Sequence, residues 1–521
     1  MTQSWWETGV LYQIYPRSFS DSNGDGIGDL NGIIAHLDYL SDVLGVDAIW
    51  LSPFYPSPQD DFGYDVADYV AVDPIYGTLA HFDHLVEEVH RRGLKVIVDY
   101  VINHTSDRHP WFIESRSRLD SPKRDWYVWR EQPNNWVSVF GGSAWEHDPA
   151  TGQYYLHSFL ASQPDLNWRN PEVEAAMFDV LRFWMARGVD GFRIDVAHFP
   201  MKHPQLLDNP MAVALPNDAS KLDSEYAAME HVHDKAHHDI HALYRRLRGV
   251  IDEYPDRFTV GEIHEYNWKV WASYYGQGDE IHMPFNFALF PAGIDPGRIR
   301  AAIRGLEGAL PKAAWPNWVA GNHDEPRIAT RLGQAQSRAM AVILLTLRGT
   351  PVLYYGDEIG MEDLAIAPDQ QQDPFGRRKP GRGRDGCRTP MQWSPKPYAG
   401  FTAGSAASWL PVNPDFTTRN VEVQRGNSGT HLELYRRLLR LRKSTPSLQS
   451  GSIELLESPD VVLSYRRSLK GSPVFEVRAN LSAAAVRAGP GGRIALGTVT
   501  GREGQQFDGS LGPWEAVVVE V

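Results

Sequence analysis

The chain has 521 residues, of which 42% are hydrophobic and 22% charged, and this composition excludes a disordered or fibrous protein. Its 51 basic and 65 acidic residues leave a net charge of −14, which argues against a nucleic-acid partner. The one cysteine, Cys387, excludes an intrachain disulfide and favours a reducing, cytoplasmic location. Because no secretory signal is visible and no apolar run approaches the ~20 residues that span a bilayer, we expect no membrane association.

Short apolar runs alternate with longer amphipathic stretches, as is typical of strands covered on both faces of a parallel sheet. Three helical stretches, at Leu79–Arg92, Glu172–Arg187 and Ala335–Leu347, are followed by glycines that can take the left-handed conformation. Eight strands with intervening helices predict an α/β fold, a (β/α)8 TIM barrel. A doubly wound sheet is less favoured because no glycine-rich phosphate turn follows the first strand. The predicted strands are Val10–Tyr15, Ala48–Leu51, Lys95–Tyr100, Gly191–Val196, Phe258–Glu262, Glu280–Phe285, Trp318–Asn322 and Val352–Tyr355.

The spacing of these strands is uneven. The segment between the third and fourth strands is too long for a structureless loop, which predicts a small inserted domain after strand 3. After a last helix near 432–442, short strands separated by Gly and Ser turns predict an all-β sandwich domain. The predicted domains are the catalytic barrel at 1–103 and 172–446, the inserted domain at 104–171, and the C-terminal β domain at 447–521.

Chemically active side chains follow the predicted strands, at the end of a barrel where working residues lie. A single carboxylate at a strand end is often a helix cap or a solvated group. Several carboxylates, two histidines and an arginine at neighbouring strand ends instead predict one shared site. These residues are Asp61 and Tyr64 after the second strand, Asp99, Asn103 and His104 at the third, Arg193 and Asp195 at the fourth, Glu262 at the fifth, and His323 and Asp324 at the seventh.

Three carboxylates in one pocket suit the cleavage of a glycosidic bond, which needs a proton donor and a carboxylate that stabilises or captures the anomeric carbon. We expect Arg193 to keep Asp195 ionised as the nucleophile. Glu262 has no basic neighbour in sequence except His264, so we expect it to stay protonated and act as the acid. Asp324, with His104 and His323, would hold the hydroxyl groups of the sugar.

Four segments of the chain resemble, in the same order, the signature segments of glycoside hydrolase family 13, the α-amylase family. They are DYVINH, GFRIDV, GEIHE and NHD. QPDLNW at Gln163–Trp168 looks like the additional segment of that family. The α-glucosidase and oligo-1,6-glucosidase branch is the most similar, through WWETGVLYQIYPRSFSDSNGDGIGDLNGI, YYLHSF and GCRTPMQW. The resemblance is strong over Ser4–Trp393.

The resemblance implies a retaining double displacement in which Asp195 is the nucleophile, Glu262 the acid/base and Asp324 the third carboxylate. It also implies a set of residues that contact a non-reducing-end glucose or hold the contacting residues in place. An arginine of GRGRDGCRTP would bind the same glucose, and Arg384 aligns with it better than Arg388. Phe140 and Phe159 resemble its aromatic wall, although both equally fit a core role. The remaining implied contacts are Asp61, Tyr64, Asp99, Arg193, His104 and His323.

On this resemblance, the loop of Asp61 and Tyr64 and the inserted domain would block the space beyond the terminal glucose. A pocket closed in this way predicts an exo-acting enzyme that removes one glucose at a time. In this branch the residue after the nucleophile tracks linkage specificity, and Val196 resembles the α-1,6-accepting members. Glu325 stands where many members carry glutamine, which places another charge near the acceptor side.

The glycine-rich segment DSNGDGIGD predicts a turn along which oxygen side chains alternate, a pattern that suits a hard cation. An EF-hand is excluded because Gly32 stands at the twelfth position. The resemblance implies a structural Ca²⁺ or Mg²⁺ there, with no cofactor for catalysis; a plain turn is the alternative. The expected ligands are Asp21, Asn23, Asp25, Asp29 and the Ile27 carbonyl.

Two further patterns suggest functions that we do not favour. Five histidines between His231 and His241 suggest zinc, but they lie in a stretch that predicts an amphipathic helix. The basic run Arg377–Arg384 suggests nucleic acid, but its place beside the eighth strand favours a loop over the pocket.

The leading hypothesis is therefore an exo-acting α-glucosidase on short α-1,6- or α-1,4-linked oligosaccharides or sucrose, a monomer or small homo-oligomer. A transglucosylase that makes isomaltulose, trehalose or glucosylated acceptors is the alternative, since both share the covalent intermediate. A non-catalytic binding relative is disfavoured because all three carboxylates are present. A phosphorylated-disaccharide hydrolase is disfavoured by the acidic charge.

Overall fold

A computed structural model describes residues 3–213, 223–379, 381–404 and 406–521 of the chain. Eight parallel strands form its central sheet, in the order β7-β8-β1-β2-β3-β4-β5-β6. The sheet curls into a nearly closed barrel, and the side chain of Asn317 bridges the seam by donating to the Pro284 carbonyl at 2.6 Å and accepting from the Asn286 amide. The predicted barrel is confirmed. Its strands are β1 Leu11–Ile14, β2 Ala48–Leu51, β3 Lys95–Val101, β4 Gly191–Asp195, β5 Phe258–Gly261, β6 Met283–Pro284, β7 Asn317–Val319 and β8 Thr350–Tyr354.

Eight helices follow these strands and cover the barrel. Their ends carry ordinary stop signals: Gly93 beyond α2 and Gly188 beyond α3 have φ of 74° and 95°, as the sequence predicted. Asn170 caps α3 by accepting from the Glu172 amide. The helices are α1 Leu30–Ala35, α2 Leu79–Arg91, α3 Pro171–Ala186, α4 Ile240–Ile251, α5 Trp268–Ser273, α6 Pro296–Ala309, α7 Gln334–Thr346 and α8 His431–Ser444. Shorter helical segments are Trp5–Thr8, Pro16–Phe19, Tyr39–Leu44, Pro110–Arg116, Arg124–Trp126, Ser224–Ala227, Leu289–Ala292, Ile328–Leu332, Asp357–Ile359, Pro374–Arg378, Asp385–Arg388, Pro397–Gly400, Pro414–Thr417, Val421–Gln424 and Pro446–Ser450.

The segment between β3 and α3 forms a small unit of its own above the barrel. Three antiparallel strands, Trp129–Arg130, Gln153–Leu156 and Trp145–Asp148, lie in that order. Trp136 and Trp145 pack beside Leu156 in a separate apolar core. A backbone bridge between His104 and Asp165 ties this segment to the end of β3, beside the pocket.

The C-terminal segment is all-β. A five-stranded antiparallel sheet is faced by the pair Val486–Arg487 and Ser510–Leu511, with Phe507 between them in a second apolar core. Arg467 donates to the Thr346 carbonyl at the end of α7 and so joins the sheet to the barrel. The five strands are Ser452–Leu455, Val462–Ser468, Phe475–Asn480, Ala516–Glu520 and Arg493–Gly497.

No described helix has both the length and the apolar character needed to cross a membrane.

The histidine-rich segment corrects one prediction. Residues 231–239 form turns and bends, and α4 begins only at Ile240. Ala236 has a φ of 52°, which no helix accepts, and His231 bonds instead to Asp234 at 2.6 Å. The predicted helix across His231–His238 was therefore wrong.

Candidate active site

A pocket of about 500 Å³ opens at the carboxyl ends of the barrel strands. It collects side chains from the ends of β2, β3, β4, β5 and β7 and from the inserted segment, which is the convergence that a parallel barrel imposes. Arg193 and Asp99 lie buried beneath this pocket. The predicted residues that line it are Asp61, Tyr64, His104, Phe140, Phe159, Asp195, Val196, Glu262, His323, Asp324 and Arg384.

One guanidinium joins the acidic groups at the floor of the pocket. Arg193 Nη1 donates to Asp195 Oδ1 at 2.8 Å and to Asp99 Oδ1 at 2.7 Å, while Nη2 donates to Glu262 Oε2 at 2.6 Å. Asp195 and Glu262 are both about 95% buried and thus face each other across a single cation. Burial raises the pKa of Asp99 to about 6.

The charges of this pair differ from the sequence expectation. Glu262 accepts three donors, namely Arg193, the Val196 amide at 3.0 Å and His264 Nε2 at 2.9 Å. Burial favours its neutral form, but Arg193 and His264 outweigh burial and hold the pKa of Glu262 below its usual range. Burial beside the other carboxylates raises the pKa of Asp195. The expectation that Glu262 has no basic neighbour except His264 and rests protonated was therefore wrong, because Arg193 reaches it from the neighbouring strand β4.

Val196 has a strained backbone next to Asp195. Its φ of 36° is rare for a β-branched residue, and such strain persists only where the surroundings enforce it. The strain turns the Val196 amide towards Glu262 Oε2, so one residue connects the carboxylates at the ends of β4 and β5.

His323 is held as a neutral imidazole. Gln13 Nε2 lies 2.7 Å from His323 Nδ1, and Tyr64 Oη lies 2.7 Å from Nε2. Burial lowers the pKa of His323 to about 3. If Gln13 donates to Nδ1, the proton lies on Nε2, which faces Tyr64 and Asp324. Sequence reasoning missed Gln13, although a polar residue inside an apolar strand is a visible signal.

Ion pairs close one end of the pocket. Arg384 donates to Asp61 at 2.7 Å, to Asp324 at 3.1 Å and to Asp373 at 2.7 Å. Arg388 Nη2 donates to Asp324 at 2.9 Å from behind, where it is fully buried. Burial raises the pKa of Asp324, but the cations and His323 outweigh burial and hold it well below its usual range. Arg384 thus lies on the pocket wall, whereas Arg388 supports Asp324 from behind. Sequence reasoning missed Asp373, the third partner of Arg384.

His104 is positioned by a second polar network, from the inserted segment. Gln163 Nε2 lies 3.2 Å from both His104 Nε2 and Asp61 Oδ2. Burial lowers the pKa of His104 to about 4, so the ring is neutral near pH 7. Lys202, which sequence reasoning missed, donates to Asn103 at 2.6 Å and pairs with Asp165.

Aromatic rings form another wall. Phe159 lies 5.2 Å from the His104 ring, and Phe140 lies 5.9 Å from Phe159 and 5.3 Å from Phe375, measured between ring centroids. The flat faces of such rings suit the apolar face of a sugar.

The two candidate metal sites differ. In the loop after β1, Asp21 accepts from the Asn23, Gly24 and Gly26 amides, while Asn23 accepts from Asp25. The expected ligands Asp21, Asn23, Asp25, Ile27 and Asp29 lie along this loop, where Asp29 also caps α1 by accepting from the Gly32 amide at 2.7 Å. Across the described ranges, only His237, His238 and Asp239 bring three imidazole or carboxylate ligand atoms within 4.8 Å of one another. The guanidinium of Arg169 already donates to Asp239 at 2.8 Å there, so the positive charge of a side chain takes the place of a metal ion.

The chain matches the family model "Alpha amylase, catalytic domain" over residues 13–451. It is 44% identical over 492 residues to a probable alpha-glucosidase of Rhizobium meliloti (strain 1021), covering 91% of this chain and 89% of that protein. It is 38% identical over 513 residues to an oligo-1,6-glucosidase of Parageobacillus thermoglucosidasius, covering 90% and 89%.

Among solved structures, the alpha-glucosyl transfer enzyme XgtA superposes with a TM-score of 0.91 at 42% identity, covering 99% of this chain and 100% of that one. Members of this family need no catalytic cofactor. The fold, the carboxylates at the strand ends and these similarities have one explanation: the chain belongs to the alpha-amylase catalytic-domain family, glycoside hydrolase family 13.

Proposed function

We propose that the protein is an exo-acting, retaining α-glucosidase that releases α-glucose from the non-reducing end of short α-glucosides. The observation that carries this proposal is the pair Asp195 and Glu262, two buried carboxylates bound by one arginine at the floor of a sugar-sized pocket. Two carboxylates so close suit direct attack by one of them on the anomeric carbon, rather than attack by an intervening water.

In the proposed reaction, Asp195 attacks the anomeric carbon while Glu262 protonates the leaving oxygen. Arg193 contacts both carboxylates, so it can stabilise Glu262 once Glu262 has given up its proton and Asp195 has formed the ester. Water, activated by Glu262, hydrolyses the glucosyl ester of Asp195 and preserves the α configuration. Asp324 stabilises the positive charge of the distorted sugar, and its two arginine partners support it in the ionised state.

Exo-action follows from the closed end of the pocket, which we define as Asp61, Gln163, Asp324, Arg384 and Arg388. We infer that their mutual ion pairs and hydrogen bonds block the space that a second sugar beyond the terminal glucose would need. Tyr64, His104, Arg193 and His323 would contact that glucose or support those that do, with Phe140 and Phe159 against its apolar face. An endo-acting amylase would need an open cleft here.

A glucosyl-transferring enzyme is the second candidate. Its basis is the similarity to the alpha-glucosyl transfer enzyme XgtA. A second part of the pocket lining, which we call the mouth and define as Val196, Tyr226, His231, His264 and Tyr266, includes stacked rings that suit a sugar acceptor. Both candidates share the glucosyl-Asp195 intermediate and differ in whether water or a sugar reacts second.

Val196 supports α-1,6 acceptance among the linkages, because it resembles the residue of the α-1,6-accepting members and lines the pocket next to Asp195. Glu325 also lines the pocket and adds negative charge on the acceptor side.

The loop of Asp21, Asn23, Asp25, Ile27 and Asp29 would bind a structural Ca²⁺ or Mg²⁺. Its oxygens suit a hard cation, which would stiffen the loop without a part in the chemistry. Thermal unfolding after EDTA treatment should occur at a lower temperature and should recover with Ca²⁺. An unchanged unfolding temperature would contradict a bound ion.

We further propose a cytoplasmic location and a monomer or small homo-oligomer. Buried Cys387 and the absence of any other cysteine suit a reducing compartment. Size-exclusion chromatography with light scattering measures the assembly.

The test of function is a panel of maltose, isomaltose, sucrose, trehalose and p-nitrophenyl α-glucoside. Proton NMR of the first product should show α-glucose, and product analysis at high sugar concentration separates hydrolysis from transfer. Initial release of β-glucose, or cleavage only inside long chains, would overturn the proposal.

A further inference from the structure

The contacts of Glu262 favour the ionised carboxylate, whereas its proposed role requires a proton. Its carboxylate accepts from Arg193, from the Val196 amide and from His264, and each of these donors favours the ionised form. Protonation of the leaving oxygen is general acid catalysis, and the acid must carry its proton when the bond breaks. Burial raises the pKa of Asp195, but Asp195 must be ionised to attack the anomeric carbon, so another neighbouring group has to hold that proton in the substrate-free enzyme.

His264 is the neighbour placed to do so. Its Nε2 lies 2.9 Å from Glu262 Oε1, and its ring stacks on Phe287 with centroids 4.7 Å apart and planes 19° apart. The His264 side chain is 42% exposed, against 7% for Glu262, and it lines the mouth of the pocket. This exposure lets the ring exchange protons with water.

The charges around His264 favour its cationic form. Burial lowers its pKa, but Glu262, Asp324 and Glu325 outweigh burial and raise it above the ordinary value. A second histidine nearby is His198, at 6.3 Å between ring centroids, and burial and Lys235 lower its pKa so that it is neutral. Arg193 reaches Glu262 from the opposite side.

We propose that His264 is a positioning residue that stores the catalytic proton for Glu262, an inference that rests on the proposed function. In the free enzyme the imidazolium Nε2–H donates to the Glu262 carboxylate. When a glucoside binds, the Nε2–H bond breaks, its electron pair stays on nitrogen, and the proton forms the O–H bond of Glu262.

Glu262 then transfers the proton to the glycosidic oxygen as the C–O bond breaks and Asp195 forms the ester. In the second half, water loses a proton to Glu262 as its oxygen attacks the anomeric carbon, and that proton returns to His264. The pair ends as it began, and no proton is gained or lost over the cycle.

The deciding experiment compares two substrates in a His264→Gln variant. Maltose has a leaving group that needs a proton, whereas α-glucosyl fluoride releases fluoride without general acid help. We expect kcat/KM for maltose to fall about 100-fold and that for the fluoride to fall less than about threefold. The alkaline limb of the pH profile for maltose should move to lower pH, because Glu262 alone must then retain the proton against Arg193.

Two controls separate this role from packing. Phe287→Leu removes the ring stack but leaves the contact with Glu262, so it should lower kcat/KM for both substrates equally. His238→Gln, at a side chain that is 83% exposed, should change neither. In His264→Ala, added imidazole should restore maltose turnover, because the exposed site admits it.

Equal losses on both substrates with an unmoved pH profile would overturn the proposal and leave the α-glucosidase function intact. Full activity of His264→Gln would do the same. The failure of the function itself has a different signature, which is near-full activity in Asp195→Asn.

Discussion

The closed end and the mouth of the pocket are built by different interactions. At the closed end, Arg384 contacts three carboxylates, and two of these contacts join residues 60 and 323 positions apart in sequence. At the mouth, rings stack: His231 lies 3.7 Å from Tyr226 and His264 lies 4.7 Å from Phe287, between centroids. Ion pairs between buried groups tolerate little change, whereas stacked rings can be exchanged at modest cost. We therefore expect the closed end to fix one sugar and the mouth to set what is attached to it.

Substitution of Asp195, which belongs to neither the closed end nor the mouth, should give the largest effect on turnover. Asp195→Asn keeps the shape of the side chain and its contact with Arg193, but it removes the nucleophile. We expect turnover of p-nitrophenyl α-glucoside to fall by ~10⁴-fold or more, while circular dichroism and thermal unfolding report an intact fold. Near-full activity in this variant would remove the basis for the proposed mechanism.

The next effect tests the closed end. Arg384→Leu leaves Asp61, Asp324 and Asp373 without their shared cation, so kcat/KM should fall by ~10²–10³-fold, mostly through weaker sugar binding. Steady-state kinetics with maltose and isomaltose measure the loss, which should be equal for both linkages because the closed end contacts only the terminal glucose.

Arg377→Leu is the matched control. Arg377 lies exposed in the same loop and donates to Gln371 and Gln372 rather than to a pocket carboxylate. A similar loss in both variants would mean that loop order, not the ion-pair network, carries the effect.

The barrel was predictable because its strands are continuous apolar runs, and each predicted strand overlaps the observed one, with β2 identical in its bounds. The convergence of Asp195, Glu262 and Asp324 followed from the same topology. The hydrogen-bond partners of the site residues did not follow from the topology. Gln13 meets His323 across 310 residues of sequence, and no local pattern encodes such a contact.

The protonation of Glu262 was mispredicted for the same reason. Its nearest basic group in sequence is His264, but its nearest in space is Arg193, 69 residues away on the neighbouring strand. Charge states depend on burial and on contacts between strands, which a sequence read residue by residue does not contain.

The mouth should respond to substitution with a change of preference rather than a loss of activity. Val196→Thr keeps the β-branched shape that already occupies the strained backbone, and it adds a hydroxyl beside the acceptor sugar. The ratio of isomaltose to maltose kcat/KM should fall about tenfold, since one side chain supplies ~1–3 kcal/mol of discrimination. An unchanged ratio with lower total activity would remove Val196 from the residues that determine linkage.

The smallest effect is a pH dependence of stability that belongs to the closed end. Burial lowers the pKa of His104 to about 4, below the ordinary value of about 6.5. Below pH 6.5 the unfolded chain therefore binds this proton and the folded protein does not, so stability from a neutral His104 is lost as the pH falls towards 4.

Its titratable neighbours are Asp165, which favours the cation, and Lys202, which opposes it. In His104→Gln this contribution is absent. We expect the unfolding temperature of the parent protein to fall by a few degrees more than that of the variant between pH 7 and pH 5, in scanning calorimetry. Parallel curves would show that His104 already titrates in the folded protein near its ordinary pKa, and that the closed end is wetter than its buried ion pairs imply.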